Sequence, residues 1–131
     1  MDQRYPQLPS WVELIPPTDR VNELYQKADL MISASRTEGF SFSLAEAIYS
    51  GLPVIYSDIP GTSWAGQFKA THVFSSGNAD ELKQAVRSCI AQEITEEEIG
   101  FNQSLMLDKY SISSWVNQIV SNLEKIYYAC K

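Results

Sequence analysis

Two carboxylates, Glu38 and Glu46, are separated by seven residues in a segment that a glycine turn opens and a helical pattern continues. Glu38 precedes Gly39 and follows a run that reads as a strand, whereas Glu46 falls one turn into the predicted helix. A helix N-terminus offers free backbone N–H groups and the positive end of its dipole to a phosphate. Carboxylates beside it accept hydrogen bonds from sugar hydroxyls. The spacing therefore favours a polyhydroxylated ligand that carries phosphate.

The same residues also have ordinary interpretations. Gly39 can mark a simple tight turn, or it can let the main chain approach a ligand closely, so that successive N–H groups bind its oxygens. Glu38 can be a surface acid. Glu46 lies roughly 200° around the helix from both Leu44 and Ile48, so it points away from the apolar stripe, where a solvated acid would also lie.

Continuous apolar runs predict the strands that position this segment. They cover residues 30–32 and 54–56, with a shorter candidate at 73–74, and they are typical of parallel strands covered on both faces. Residues 42–50 read as a helix between the first two runs. We therefore predict an α/β fold with a three-layer, Rossmann-like parallel sheet. Ligands of such sheets bind beyond the carboxyl ends of the strands, where Glu38 is expected to lie.

Prolines and helix-capping residues predict the structure of the flanking segments. Prolines bound an apolar run at residues 11–15, which predicts another strand after an irregular lead-in over residues 1–10. Thr18 or Asp19 is expected to cap the next helix. Two capping boxes predict further helices, and a last helix from about Ser113 is expected to turn an apolar stripe towards the core. The capping boxes pair Asn78 with Glu81 and Thr95 with Glu98, and the stripe comprises Trp115, Ile119, Leu123 and Ile126.

Composition excludes several classes of function. The 131 residues, 44% of them hydrophobic, suffice for one domain with a core, and the net charge of −6 argues against nucleic-acid binding.

Cys89 and Cys130 fit reduced thiols better than a disulfide, with Cys89 as a core residue. His72 has no acidic or cysteine partner at metal spacing, so we predict neither a metal nor a cofactor. No stretch is apolar and long enough to span a membrane, and the chain reads as cytoplasmic.

Residues 38–47 closely resemble the signature of the retaining GT-B glycosyltransferases of family four, the glycosyl transferases group 1. That family has a Glu, seven residues and a second Glu in a Glu-Gly-Phe context. Residues 28–33 and 51–58 fall where it keeps a strand, a turn and another strand. A weaker likeness at residues 78–82 and 113–115 extends the resemblance to the C-terminus. It implies a partial nucleotide-sugar-binding domain over residues 11–131, in the C-terminal half of a GT-B enzyme.

The resemblance also implies roles for single residues. The first Glu of the family lies beside the transferred sugar and its leaving oxygen, which implies a catalytic role for Glu38. The second binds the ribose hydroxyls of the nucleotide, which implies that role for Glu46. The amides of Ser43 and Leu44 are the implied donors to the phosphate. The implied donor-binding set is Glu38, Gly39, Phe40, Ser41, Ser43, Leu44 and Glu46.

The implied reaction moves a sugar from a UDP- or GDP-linked donor to an acceptor hydroxyl with retention, in surface polysaccharide or glycoconjugate synthesis. The family's acceptor domain, with its histidine, and its upstream Arg and Lys have no counterpart here. We therefore expect a fragment that is inactive alone and that closes the gap left by missing strands, swaps or self-associates, from a parent that is cytoplasmic or peripheral at the inner face of the membrane. The alternatives are a non-catalytic nucleotide-sugar-binding or scaffolding module, one half of a two-chain glycosyltransferase, or a GT-B epimerase or phosphorylase.

Two residues near the signature, Arg36 and Trp64, have open roles. Arg36 either adds positive charge beside a diphosphate or is merely solvated. Trp64 either packs against the core or forms a lid over the donor.

The family usually has two glycines after the strand that ends near Asp58, whereas this chain has one, Gly61. It also has Ala70 near the place of the family's glycine before the last strand, so the loop on the acceptor side is expected to differ.

Overall fold

Three short parallel strands form the sheet in a computed structural model that describes residues 8–129. The strands are β1 (Met31–Ser33), β2 (Val54–Asp58) and β3 (Thr71–Ser75), and their order in the sheet is β1-β2-β3. Each of the three predicted apolar runs contributes to one of them. The predicted α/β fold with a parallel sheet is therefore confirmed.

Helices lie before, between and after the strands. A helix separates β1 from β2, as the strand–helix–strand prediction requires, and a 3₁₀ segment leads from β2 to β3. The helices of the described residues are α1 (Val21–Lys27), α2 (Phe42–Tyr49), the 3₁₀ segment (Pro60–Gln67), α3 (Ala79–Ile90), α4 (Glu96–Tyr110) and α5 (Ile112–Ala129). None of them is long and apolar enough to cross a bilayer.

The core has two parts, one on each face of β2. Val54 and Tyr56 pack on one face with Leu44 and Ile48 of α2, and Ile55 packs on the other face with Cys89 of α3. Alternate residues of a strand point to opposite faces, which is why neighbouring residues of β2 belong to different clusters. This arrangement gives the three predicted layers, and it confirms Cys89 as a buried core residue. The other cysteine, Cys130, lies outside the described residues.

Among the three strands of the described residues, only the central strand β2 is covered on both faces. Ile32 of β1 is 44% exposed and Val73 of β3 is 56% exposed, so the expectation of two covered faces is wrong for the outer strands. Both strands lie at an edge of the three-stranded sheet, where each has a neighbouring strand on one side only. A continuous apolar run does not reveal how many helices cover a strand.

Residues 11–15 form no strand, which corrects the prediction made from their apolar composition. The chain turns at Ser10 and Trp11, where the N–H of Val12 donates to the carbonyl of Pro9 at 2.9 Å. Trp11 is 84% exposed. A strand is stabilised by pairing with a neighbour, and the described sheet pairs only β1, β2 and β3 with one another.

The predicted cap of α1 is also wrong. Arg20 is the N-cap residue and makes no side-chain cap bond. The hydroxyl of Thr18 instead accepts a hydrogen bond from the N–H of Arg20 at 3.1 Å, so it satisfies the donor just ahead of the helix. Short hydroxyl side chains form such local turns as readily as caps, and the sequence alone does not distinguish the two.

The two predicted capping boxes differ in outcome. Thr95 and Glu98 form a complete box at the start of α4. Asn78 caps α3 by accepting from the N–H groups of Asp80 and Glu81. However, the Glu81 carboxylate accepts from the N–H of Ser75 at 2.7 Å and from the Asn78 side chain, so the second box ties α3 to the end of β3 instead.

Helix α5 begins at Ile112, close to the predicted start, but its apolar stripe does not face the core. Trp115 is 62% exposed, and the other three predicted stripe residues are exposed as well. None of the described α5 residues is buried. The assignment of Trp115 to a core face is therefore wrong, because helical periodicity identifies an apolar side without identifying what covers it.

Candidate functional site

The predicted site lies in the loop of residues 34–41, which joins the carboxyl end of β1 to the start of α2. Because β1 and β2 are parallel, the loop after β1 and the 3₁₀ segment after β2 leave the sheet at the same edge. The loop after β1 is also tied to the end of β2, since the Ser57 hydroxyl donates to the carbonyl of Ser35 at 2.5 Å. The two loops therefore form one surface around Glu38.

The carboxylate of Glu38 is partly buried and held by its own loop. The hydroxyl of Ser35 donates to Glu38 Oε1 at 2.7 Å. With the bond from Ser57 to the Ser35 carbonyl, this connects Glu38 to the end of β2. Sequence reasoning missed both serines. A hydroxyl residue three positions before an acid in one loop was the available signal for Ser35, whereas Ser57 left no local signal.

Gly61 holds the main chain of Glu38 from the other side. A Cβ atom at Gly61 would meet the carbonyl oxygen of Glu38 at 2.2 Å, a distance that excludes a side chain. The buried Thr62 fixes the turn, since its hydroxyl bonds the carbonyls of Ser57 at 2.7 Å and Ile59 at 3.0 Å. The loop in which the chain departs from the family pattern is thus packed against the first acid.

The start of α2 presents main-chain donors at this edge. Ser41 is the N-cap residue in an extended conformation and makes no side-chain cap bond. The first intrahelical bond runs from the N–H of Ala45 to the carbonyl of Ser41 at 3.2 Å. The N–H groups of Ser43 and Leu44 therefore precede the helical ladder. The Leu44 side chain is fully buried, so only its main chain can serve a ligand.

Glu46 lies on the exposed side of α2, opposite the buried Leu44 and Ile48, as its helical position predicts. The hydroxyl of Tyr25 in α1 lies 3.0 Å from Glu46 Oε2 and 3.2 Å from the carbonyl of Ser43, to both of which it donates. Burial, and then the hydrogen bond and charge of Glu46, raise the pKa of Tyr25 to about 12. Sequence reasoning missed Tyr25 because its contact with α2 is tertiary.

An aromatic cluster supports the turn between the acids. Phe40 stacks on Trp64 with ring centroids 4.7 Å apart and planes 16° apart, and Tyr110 of α4 contacts both rings. The Trp64 indole N–H donates to the carbonyl of Gly61 at 2.9 Å. Of the two interpretations of Trp64, the structure therefore shows packing. Arg36 is exposed in the same loop.

The other side of the molecule carries a different set of groups. A cavity of about 600 Å³ lies near the amino ends of β2 and β3 and includes Lys69, His72 and Glu98 among its lining residues. Glu98 is bonded to Thr95 in the helix cap, which lowers the pKa of its carboxyl. His72 lies on β3, at an edge of the described sheet. This cavity is at the sheet edge opposite Glu38.

Comparison with known proteins gives a family match. The family model described as glycosyl transferases group 1 matches residues 9–105, which include both acids and all three strands. The chain is 32% identical over 112 residues to a poly(glycerol-phosphate) alpha-glucosyltransferase of Bacillus subtilis (strain 168), covering 79% of this chain and 17% of the relative.

Two further relatives share one name, the UDP-N-acetylglucosamine–peptide N-acetylglucosaminyltransferase GtfA subunit. The Streptococcus parasanguinis protein is 46% identical over 41 residues, which cover 31% of this chain and 8% of the relative. The protein from Streptococcus pneumoniae serotype 4 (strain ATCC BAA-334 / TIGR4) is 33% identical over 84 residues, 60% of this chain and 17% of the relative. The chain thus spans less than a fifth of the length of each curated relative.

Proposed function

The chain belongs to the glycosyl transferases group 1 family, and from this premise we propose that it forms part of the donor-binding domain of a retaining glycosyltransferase. The reaction moves a sugar from a nucleoside diphosphate to an acceptor hydroxyl. The bond between the anomeric carbon and the phosphate oxygen breaks, and its electron pair leaves with the diphosphate. A bond then forms to the acceptor oxygen, whose proton is taken up by the departing diphosphate, and the anomeric configuration is retained.

One observation carries this proposal: Glu38 and Glu46 flank the N-terminus of α2 at the carboxyl edge of the parallel sheet. In our proposal the amides of Ser43 and Leu44 bind a phosphate of the donor and stabilise its charge as it departs. Glu46 accepts hydrogen bonds from the ribose hydroxyls, and Glu38 lies beside the sugar. The backbone of Gly39, Phe40 and Ser41 lines the path between them.

The proposed acceptor follows from the relatives' names. One relative is named as acting on poly(glycerol-phosphate) and two as acting on a peptide, so we propose a polymeric or glycoconjugate acceptor for this protein as well. The nucleotide sugar is UDP- or GDP-linked.

We expect the activity to need the rest of the parent protein. The described α2 dipole offers roughly 0.3–1 kcal/mol to an exposed phosphate, and micromolar binding needs about 8 kcal/mol. The chain is net acidic, with a charge of −6 that opposes an anionic donor. The isolated chain should therefore bind nucleotide weakly and transfer no sugar, and robust turnover by it would contradict this part of the proposal.

Two variants of the full-length protein test the assignment of roles. Glu46→Ala should weaken binding of the free nucleoside diphosphate by about 1–3 kcal/mol, because hydrogen bonds to a group remote from the reacting carbon are lost. Glu38→Ala should lower kcat more than it lowers nucleotide affinity. Calorimetric titration and steady-state kinetics measure the two effects.

The matched control is Glu97→Ala, which removes an exposed acid from the first turn of α4. It should change neither nucleotide affinity nor turnover. Unchanged affinity in Glu46→Ala would remove Glu46 from the ribose site. A collapse of affinity in Glu38→Ala, with turnover near that of the wild type, would show that the two roles are reversed.

A second candidate is a donor-binding subunit of a two-chain glycosyltransferase. The specific observation behind it is that two of the relatives are named as subunits. If this candidate is right, the purified full-length protein binds nucleotide sugar but transfers it only after a second chain is added. Transfer by the purified protein alone would favour the single-chain enzyme.

A further inference from the structure

We propose that Tyr25 is a positioning residue that holds the Glu46 carboxylate in place for the ribose of the donor; this inference rests on the proposed function. The hydroxyl of Tyr25 lies 3.0 Å from Glu46 Oε2 and 3.2 Å from the carbonyl oxygen of Ser43. Its single proton is shared between these two acceptors. One side chain of α1 thus connects the proposed ribose acid to the first turn of α2.

The side chain of Tyr25 packs against the core. Its ring is partly buried against the core cluster that includes Leu44 and Ile48, on the inner side of α2. The bond to the Ser43 carbonyl adds a second attachment to the same helix. Tyr25 therefore reaches Glu46 from a ring that is partly buried, whereas Glu46 projects from an exposed position.

Holding Glu46 has a consequence for binding. A free Glu side chain samples many rotamers, and fixing it when a ligand binds costs conformational entropy. A carboxylate that is already held loses less conformational entropy on binding, so it binds the ribose hydroxyls more tightly. The bond to Tyr25 leaves acceptor capacity for the ribose, because a carboxylate has about four lone-pair sites.

The hydroxyl remains a donor under the conditions in which the enzyme works. Burial and the adjacent Glu46 raise the pKa of Tyr25 to about 12, so the phenol keeps its proton at neutral pH. It therefore donates to the Glu46 carboxylate, as a positioning residue requires.

The test is a double-mutant cycle in the full-length protein, with UDP and GDP as the titrated probes. Tyr25→Phe removes the hydroxyl and keeps the packed ring. We expect about a 3- to 10-fold loss of nucleotide affinity, the effect of one ordinary hydrogen bond, with kcat at saturating donor changed less. In a Glu46→Ala background the same substitution should cause no further loss, because its effect is transmitted through Glu46.

Tyr49→Phe is the matched control, since it removes a tyrosine hydroxyl from α2 itself and should leave affinity unchanged. Thermal unfolding of each variant shows whether the fold is intact. If Glu46→Ala weakens binding and Tyr25→Phe does not, the inference is overturned and the proposed function stands. An equal loss from Tyr25→Phe with and without Glu46 also overturns it. No effect of Glu46→Ala at all overturns the ribose assignment, and the inference with it.

Discussion

Gly61 packs directly against the main chain of Glu38, so that a methyl group on its Cα would lie 2.2 Å from the Glu38 carbonyl oxygen. The 3₁₀ segment that contains Gly61 begins just after β2, and Glu38 lies in the loop after β1. The indole N–H of Trp64 bonds the Gly61 carbonyl, while the Trp64 ring stacks on Phe40. The first acid is thereby positioned by residues that follow it in the chain.

Gly61→Ala should displace Glu38, because the new Cβ and the carbonyl oxygen of Glu38 cannot remain 2.2 Å apart. Overpacking of this kind costs about 1–3 kcal/mol of folding free energy. In the full-length protein we expect kcat to fall more than nucleotide affinity, as for Glu38→Ala. Thermal unfolding and steady-state kinetics are the measurements.

Gly100→Ala is the control for this substitution. Gly100 lies in α4, is exposed and has open space where a Cβ would be added. Alanine there should stabilise the protein by about 0.5–1 kcal/mol through helix propensity and leave turnover unchanged. Equal effects of the two substitutions would show that Gly61 does not act through Glu38.

Asn102→Ala should destabilise the domain by about 1–3 kcal/mol, because it leaves main-chain groups of Lys69 unsatisfied. Asn102 is fully buried, and its side chain both accepts from the Lys69 N–H at 2.8 Å and donates to the Lys69 carbonyl at 3.0 Å. Denaturant unfolding measures the loss. Ser104→Ala, an exposed change on the same helix, is expected to cost little, and a comparable cost would contradict the account.

Ala70→Gly should raise the free energy of unfolding by about 0.5–1 kcal/mol. Ala70 has a φ of 54°, in the left-handed region, and its carbonyl accepts from the N–H of Val54, which fixes this conformation. Glycine removes the cost of the left-handed conformation, roughly 1–2 kcal/mol. The greater entropy of the unfolded chain with glycine offsets part of this gain. Ala91→Gly, at a φ of −79°, should instead destabilise, and the two melting temperatures are compared.

Glu98→Gln should reduce the loss of unfolding free energy that occurs as the pH falls into the acid range. Hydrogen bonds from the Thr95 N–H, and then from its hydroxyl, lower the pKa of Glu98 from its ordinary 4.5. A lowered folded-state pKa gives stability that is present above the unfolded value and lost as pH falls through the folded one. Urea unfolding between neutral pH and pH 3 should therefore show a smaller decrease in the variant.

Glu97→Gln makes the same change of charge one residue away without removing a bond to Thr95. Its stability should keep the wild-type slope below pH 4.5. If the slopes of unfolding free energy against pH are identical in Glu97→Gln and Glu98→Gln, the effect comes from net charge and not from the cap.

The sequence by itself determined the local elements of this protein. Apolar runs located all three strands, and the pattern around Glu46 gave a helix whose observed range, Phe42–Tyr49, is one residue shorter than predicted. It also placed Glu38 in the loop after β1 and Glu46 on the exposed side of α2. These properties depend on backbone propensity and on a periodicity that covers a few neighbouring residues, so a local reading is sufficient.

Only the tertiary structure decided which distant residues hold the two acids. Tyr25 reaches Glu46 from α1, and Gly61 reaches Glu38 from the segment after β2, in contacts that no sequence spacing specifies. For the same reason the apolar residues 11–15 and the stripe of α5 were misread, since an apolar run becomes a strand or a core face only where another element covers it. Local pattern fixes what a segment can form, and packing against the rest of the chain fixes what it contacts.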